Sequence, residues 1–211
     1  MLYHLLHPSF NLVQYITFRT AAGGLTAFGI SLVMGPWLIR TLREFQIGQV
    51  VRDDGPATHQ AKAGTPTMGG LLILTAAIVP TLVWGDLTNA FIWVAMLSTL
   101  AFGVVGFIDD YLKVVRKTHR GLRPLYKLIG QGVVAMSVGL GLLWLSEREL
   151  YSTELTFPFF KQLTPDLGWL YVPFGALLLM FFSNAVNLSD GLDGLAISLF
   201  TVAAAALTAL A

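Results

Sequence analysis

From Ala90 to Ile108 the chain carries no charged side chain, and five further stretches are nearly as apolar. A helix needs roughly 20 mostly apolar residues to cross the hydrocarbon core of a bilayer. The runs that approach this length are Thr20 to Ile39, Met68 to Gly85, Ala90 to Ile108, Leu125 to Leu145, Trp169 to Leu188, and Leu195 onward. Their many glycines do not mark loops, because glycine is common in membrane helices. Only 12% of the residues are charged, about half the usual share in a soluble domain. A membrane protein fits that deficit better than a large soluble core does. The expected fold is therefore all-α, a polytopic transmembrane helical bundle with about six spans. Residues 1–211 form one integral membrane domain, with no internal repeat or low-complexity linker.

The chain has no cysteine, so disulfides and thiolate metal sites are excluded. No cleavable signal peptide is expected, because the first eighteen residues hold no Lys or Arg and no small-residue cleavage pattern. The segment with His4, His7 and Pro8 reads as an interfacial stretch before the first span.

The basic residues give an orientation. Arg40, Arg43, Arg52 and Lys62 lie between the first two spans, and Lys113, Arg116, Lys117, Arg120, Arg123 and Lys127 lie between the third and fourth. Between the fourth and fifth, Arg148 and Lys161 are outweighed by Glu147, Glu149, Glu154 and Asp166. The positive-inside rule places the first two of these loops in the cytoplasm and the third outside, with the N-terminus outside. The final run, Leu195 to Ala211, would reach only about 25 Å across a core of about 30 Å. It has no charged or aromatic flank, so the chain reads as the N-terminal part of a longer protein.

Three polar constellations fall on the cytoplasmic side of this topology. In the first, "VRDDGPATHQAKAGTPTMGG" from Val51 to Gly70, Gly, Pro, Thr and Asp make a structured loop that leads into the second span. Backbone amides near a Gly-rich helix start can hold an anion, and Lys62 can neutralise a phosphate. An ordinary solvated turn accounts for the same residues.

The second is "GFIDDYLKVVRK", Gly106 to Lys117. Asp109 and Lys113 are four apart and share a helix face. A surface ion pair at that spacing is worth only about 0.3–0.5 kcal/mol, and it leaves Asp110 unexplained. Adjacent carboxylates at a hydrocarbon edge repel one another, and ionisable groups at membrane depth are functional candidates. Such a pair suits Mg²⁺ coordination or deprotonation of an attacking group.

The third is "NAVNLSDGLDGLA", Asn184 to Ala196. Asn187, Asp190 and Asp193 recur every three residues and would make one polar stripe on a helix. Gly191 and Gly194 instead suggest a broken turn between the last two spans. A polar hairpin tip is the plainer reading, but such a tip rarely needs two carboxylates and an Asn.

Taken in order, the Val51–Gly70 loop, the Asp109–Asp110–Lys113 motif and the Asn187–Asp190–Asp193 motif resemble those of the phospho-N-acetylmuramoyl-pentapeptide transferase (MraY) family. That family lies within the polyprenyl-phosphate N-acetylhexosamine-1-phosphate transferases. One small departure is Ser189, where the family pattern leads us to expect Thr. The resemblance implies transfer of phospho-MurNAc-pentapeptide from UDP-MurNAc-pentapeptide to undecaprenyl phosphate, giving lipid I and UMP in the first membrane step of peptidoglycan synthesis. It implies Mg²⁺ as cofactor, with the bacterial inner membrane as location and the active site on its cytoplasmic face. The partners implied are the two substrates, the lipid bilayer and, as one assembly, a homodimer; nucleic acid has no part.

Carried over by motif, Asp109 is the base or phosphate-activating group, with Asp110 and Lys113 beside it. Lys62, Gly191, Leu192 and Asp193 look like the uridine side of the pocket. Lys127 offsets phosphate charge, and Asn187 and Asp190 line the cleft. Asp109 and Asp110 are the metal candidates here, the family's main metal Asp being expected beyond residue 211. Family members have about ten bilayer-length spans, so a chain with six would be incomplete alone. The rival readings are a transporter and an inactive membrane fragment that acts through binding or assembly. A transporter would want charges near mid-span, whereas every Asp and Glu here lies at a span end or in a loop.

Overall fold

A computed structural model describes residues 3, 11–44, 68–116, 121–157, 160, 162–190 and 194–210. Among the described residues, six helices occupy the six apolar runs. They are α1 (Ile16–Glu44), α2 (Gly70–Trp84), α3 (Ala90–Arg116), α4 (Pro124–Ser146), α5 (Tyr171–Ser189) and α6 (Leu195–Leu210). Short 3₁₀ turns at Asn11–Gln14 and Gly168–Leu170 lead into α1 and α5. Among the described residues, four helical segments are long and apolar enough to span a membrane: α1, α3, α4, and α5 together with its 3₁₀ turn. The chain is thus a helical membrane protein.

One helix is shorter than the sequence suggests. α2 has 15 residues, about 22 Å at the usual rise and less than the core thickness. Its expected first residue, Met68, is instead left-handed at φ 71°. At the other end Gly85 is extended and its N–H caps the Thr81 carbonyl. α6 has 16 residues. Helices of this length are accommodated by local thinning of the bilayer or by partners.

The chain divides into two compact units, Met1–Gly130 and Gln131–Ala211. In the first, α1 and α2 run antiparallel. Gly35 of α1 faces Leu72, while at the opposite end Trp84 donates from its indole N–H to the Thr26 hydroxyl at 3.0 Å. The Phe18 and Trp84 rings meet edge to face, with centroids 6.2 Å apart. Pro36 lies inside α1, where a soluble helix would kink; membrane helices tolerate it by local adjustment. α3 returns along α2 so closely that a Cβ on Gly103 would lie 2.6 Å from a Leu74 methyl. The start of α4 then lies against α3, with Gly130 facing Val105.

In the second unit, α4 and α5 are antiparallel and joined at both ends of their contact. At one end, a Cβ on Gly139 would lie 3.0 Å from both Cα and the carbonyl oxygen of Val172. At the other, buried Gln131 accepts a hydrogen bond from the Asn184 amide at 2.8 Å and donates to the Ser183 hydroxyl at 3.4 Å. In lipid such interhelical polar contacts are a source of helix pairing, because apolar burial cannot tell helix from tail.

Beyond the Trp144 end of α4, the connection to α5 is a small hairpin-like loop. Glu154 bridges Asp166, Thr153 donates its hydroxyl to the Asp166 carboxylate, and the Tyr151 and Tyr171 hydroxyls share a hydrogen bond. Trp144, Phe160 and Trp169 are exposed there, as expected of aromatic residues at a membrane interface.

Candidate functional site

α3 continues as helix for eight residues past its apolar run, to Arg116. That extension places Asp109, Asp110 and Lys113 on adjoining positions of one helical turn. The Lys113 ammonium lies 2.7 Å from Asp109 Oδ2 and 2.9 Å from Asp110 Oδ1. The i,i+4 pairing expected from the sequence is present, and Lys113 also takes Asp110 at i,i+3. One cation between two carboxylates relieves the repulsion that made the adjacent pair look unstable.

Asp109 is the buried member, 9% exposed, whereas the Asp110 and Lys113 side chains are about one-third open. A buried carboxylate requires compensating donors. Asp109 has two, since its Oδ1 accepts the Leu122 backbone N–H at 2.8 Å. Lys127, in the first turns of α4, lies close enough for its charge to act on Asp109 as well. Five of the expected features therefore gather in one unit: Asp109, Asp110, Lys113, Lys127 and the apolar helix that carries them.

Gly121 was not singled out in the sequence. A Cβ there would lie 2.2 Å from Asp109 Oδ1 and 2.8 Å from its Cγ, so only glycine leaves room for the carboxylate to reach Leu122. The signal available in the sequence was weak: a glycine three residues before Pro124, the first residue of α4.

Mg²⁺ is not readily held by these groups alone. Asp109 already accepts from Lys113 and Leu122, and Asp110 shares the same lysine. Among the described residues no three His, Asp or Glu side chains come together as a metal would require. The pair as it stands is built around an ammonium ion.

The third constellation divides at the end of α5. Asn187 and Asp190 are exposed on its last turn, and the Asp190 N–H still bonds to Val186. The helix then stops, and α6 begins after Gly194 at φ 82°. The turn expected from Gly191 and Gly194 falls between these two helices, and the third member of the stripe, Asp193, lies outside the described residues. Ser189 donates its hydroxyl to the Ala185 carbonyl, a bond that Thr at that position would also make. Lys62, Gly191, Leu192 and Asp193 lie outside the described residues.

Comparison with known proteins bears on the same segments. Residues 92–211 match the family model for Glycosyl transferase family 4, and residues 62–74 match Phospho-N-acetylmuramoyl-pentapeptide-transferase signature 1. The first range contains the Asp109 cluster, and the second contains Lys62 and the start of α2. The chain is 50% identical over 203 residues to a phospho-N-acetylmuramoyl-pentapeptide-transferase of Geobacter sp. (strain M21), covering 93% of this chain and 56% of that protein. With the enzyme of the same name from Desulfatibacillum aliphaticivorans the identity is 52% over 213 residues, covering 97% and 58%. With that from Koribacter versatilis (strain Ellin345) it is 48% over 234 residues, covering 100% and 62%. The chain therefore spans 56–62% of the length of these relatives.

Proposed function

As the chain belongs to glycosyl transferase family 4, we propose that it is the N-terminal part of a transferase moving phospho-MurNAc-pentapeptide from UDP-MurNAc-pentapeptide to undecaprenyl phosphate. The observation that carries this reading is the buried Asp109 carboxylate at the end of an apolar helix, held beside Asp110 by Lys113. The acceptor is a phosphate on a lipid, so its charged head lies where the hydrocarbon ends. The donor is a soluble, multiply charged nucleotide. A catalyst for the pair needs ionisable groups at that depth, and the α3 end supplies them.

In the proposed reaction an acceptor phosphate oxygen attacks the sugar-linked phosphorus of the donor. One P–O bond forms to that oxygen, the P–O bond to UMP breaks, and UMP leaves with the bridging oxygen. Asp109 takes up the acceptor's remaining proton or activates its phosphate. Lys113 and Lys127 supply positive charge to the phosphates, and Lys62 does so from the first loop. Attack in one step, or by way of a phospho-Asp intermediate followed by transfer to the lipid, satisfies the same groups. Mg²⁺ would neutralise the diphosphate when bound, but the residues described here do not assemble its cage and no step is assigned to it. Asn187 and Asp190 line the cleft, with Gly191, Leu192 and Asp193 on the uridine side. The basic residues put this face in the cytoplasm of a bacterial inner-membrane protein.

The test is UMP release in bilayer discs. The complete protein releases UMP only when both substrates are supplied, and residues 1–211 alone release none. Release without the lipid acceptor would overturn the reaction class; robust release from 1–211 alone would overturn its assignment as one part of the enzyme.

A further inference from the structure

Two contacts hold Asp109, and they differ in kind. Lys113 is local, four residues along the same helix, and its flexible side chain is 37% exposed. The Leu122 N–H comes from thirteen residues away and belongs to the backbone, so it cannot swing aside. Each takes a different oxygen: Lys113 faces Oδ2 and Leu122 faces Oδ1. When a phosphate draws the Lys113 ammonium toward itself, Oδ2 is released while Oδ1 stays fixed.

Gly121 makes this arrangement sterically feasible. The only described glycines at positive φ are Gly168 and Gly194, so residue 121 does not need glycine for its dihedral angles. It needs glycine for space. A methyl group would meet Asp109 Oδ1 at 2.2 Å, its Cγ at 2.8 Å and its backbone oxygen at 2.8 Å. Two of those atoms are the carboxylate itself, so the cheapest relief is to turn Asp109 away from Leu122. Pro124 opens α4 directly afterwards, and its fixed φ limits how far the loop can retreat.

We propose that Gly121 and the Leu122 N–H form a backbone clasp that orients the Asp109 carboxylate for the transfer, leaving Oδ2 as its working oxygen. This rests on the role given to Asp109 above. Both are positioning groups: neither touches substrate, and each acts through Asp109.

The test uses the complete enzyme and UMP release. Gly121→Ala is expected to lower kcat about 10- to 100-fold, the scale of one lost donor to a charged acceptor. The KM for UDP-MurNAc-pentapeptide should stay within about twofold, because an interaction made at the reacting centre has been lost and not one that binds substrate. Replacing the Leu122 amide with an ester, by incorporating the α-hydroxy analogue of leucine at position 122, removes the N–H without adding an atom beside the carboxylate and should give the same loss; it decides the matter if Gly121→Ala does not fold. In an Asp109→Asn background, either change should add nothing. A further multiplicative loss there would mean that residue 121 acts on the fold and not through Asp109, and the clasp would be wrong. Near-normal turnover in both clasp variants, with Asp109→Asn inactive, would overturn the clasp alone. Near-normal turnover of Asp109→Asn would overturn the proposed function and the clasp together.

Discussion

Replacing Gly139 with Ala tests how α4 and α5 are held together. The added Cβ would lie 3.0 Å from Val172 Cα, 3.0 Å from its carbonyl oxygen and 3.2 Å from its Cγ1. Carbon atoms rest at about 3.5–4.0 Å, and two of the three atoms are backbone, so no rotamer change removes the overlap. The helices must separate by roughly 0.5–1 Å, a gap that forfeits a quarter to a half of the dispersion well along the contact. Overpacking of this kind costs about 1–3 kcal/mol. Ala is also the better helix former, by up to about 1 kcal/mol, which would mask part of the loss. Gly141→Ala removes that ambiguity, because nothing lies within 4 Å of its Cβ on the same helix. The difference between the two variants isolates the clash, and Gly139→Ala should be the less stable by about 1–3 kcal/mol. The assay is SDS-induced unfolding in mixed micelles, followed by loss of helical circular dichroism. Equal unfolding midpoints would refute the close approach of α4 and α5 at this point.

Topology is checked by single cysteines in sealed cells: Thr118→Cys should react with an impermeant thiol reagent only from the cytoplasmic side, and Leu163→Cys only from outside. Thr153, in the same α4–α5 loop, is a poor reporter because it is buried against Asp166; labelling of Thr118→Cys from outside would reverse the orientation. The α4–α5 loop should also respond to acid. The Thr153 hydroxyl, and after it the Gly168 N–H, hold the Asp166 carboxylate below its ordinary range. A lowered folded-state value contributes stability that is present above the unfolded value of about 3.9 and lost as pH falls through the folded one. Hydrogen exchange at the Leu167 and Gly168 amides should therefore quicken in that acid range in the parent protein, and Asp166→Asn should remove the pH dependence; an unchanged acid response in that variant would show that another group controls the loop.

The helices were legible because a bilayer admits only long apolar runs, so six such runs located six helices. Their ends were less legible. α2 loses its first two expected residues at the left-handed Met68, which no apolar count reveals. The Asp109–Lys113 pair followed from helical spacing, and the same spacing offered Asp110–Lys113, although only the first pairing was drawn from it. The Leu122 contact depends on how a loop returns over thirteen residues, and Gly121 matters only once that return is known. Gln131, Ser183 and Asn184 stand as isolated polar residues in apolar runs. Their pairing is set by the packing of α4 against α5, which periodicity alone does not specify.

The central claim is that Asp109 carries the chemistry at the edge of the membrane. Turnover of the complete enzyme with Asp109→Asn tests it most directly, because Asn keeps the shape and still accepts the Leu122 N–H while losing the charge. With both substrates in bilayer discs, release of UMP and formation of the lipid-linked product should fall together by at least about 100-fold, the usual scale for a positioned acid–base group. The thermal unfolding midpoint should not fall. Near-normal release of UMP by that variant would make Asp109 a structural residue and contradict the account.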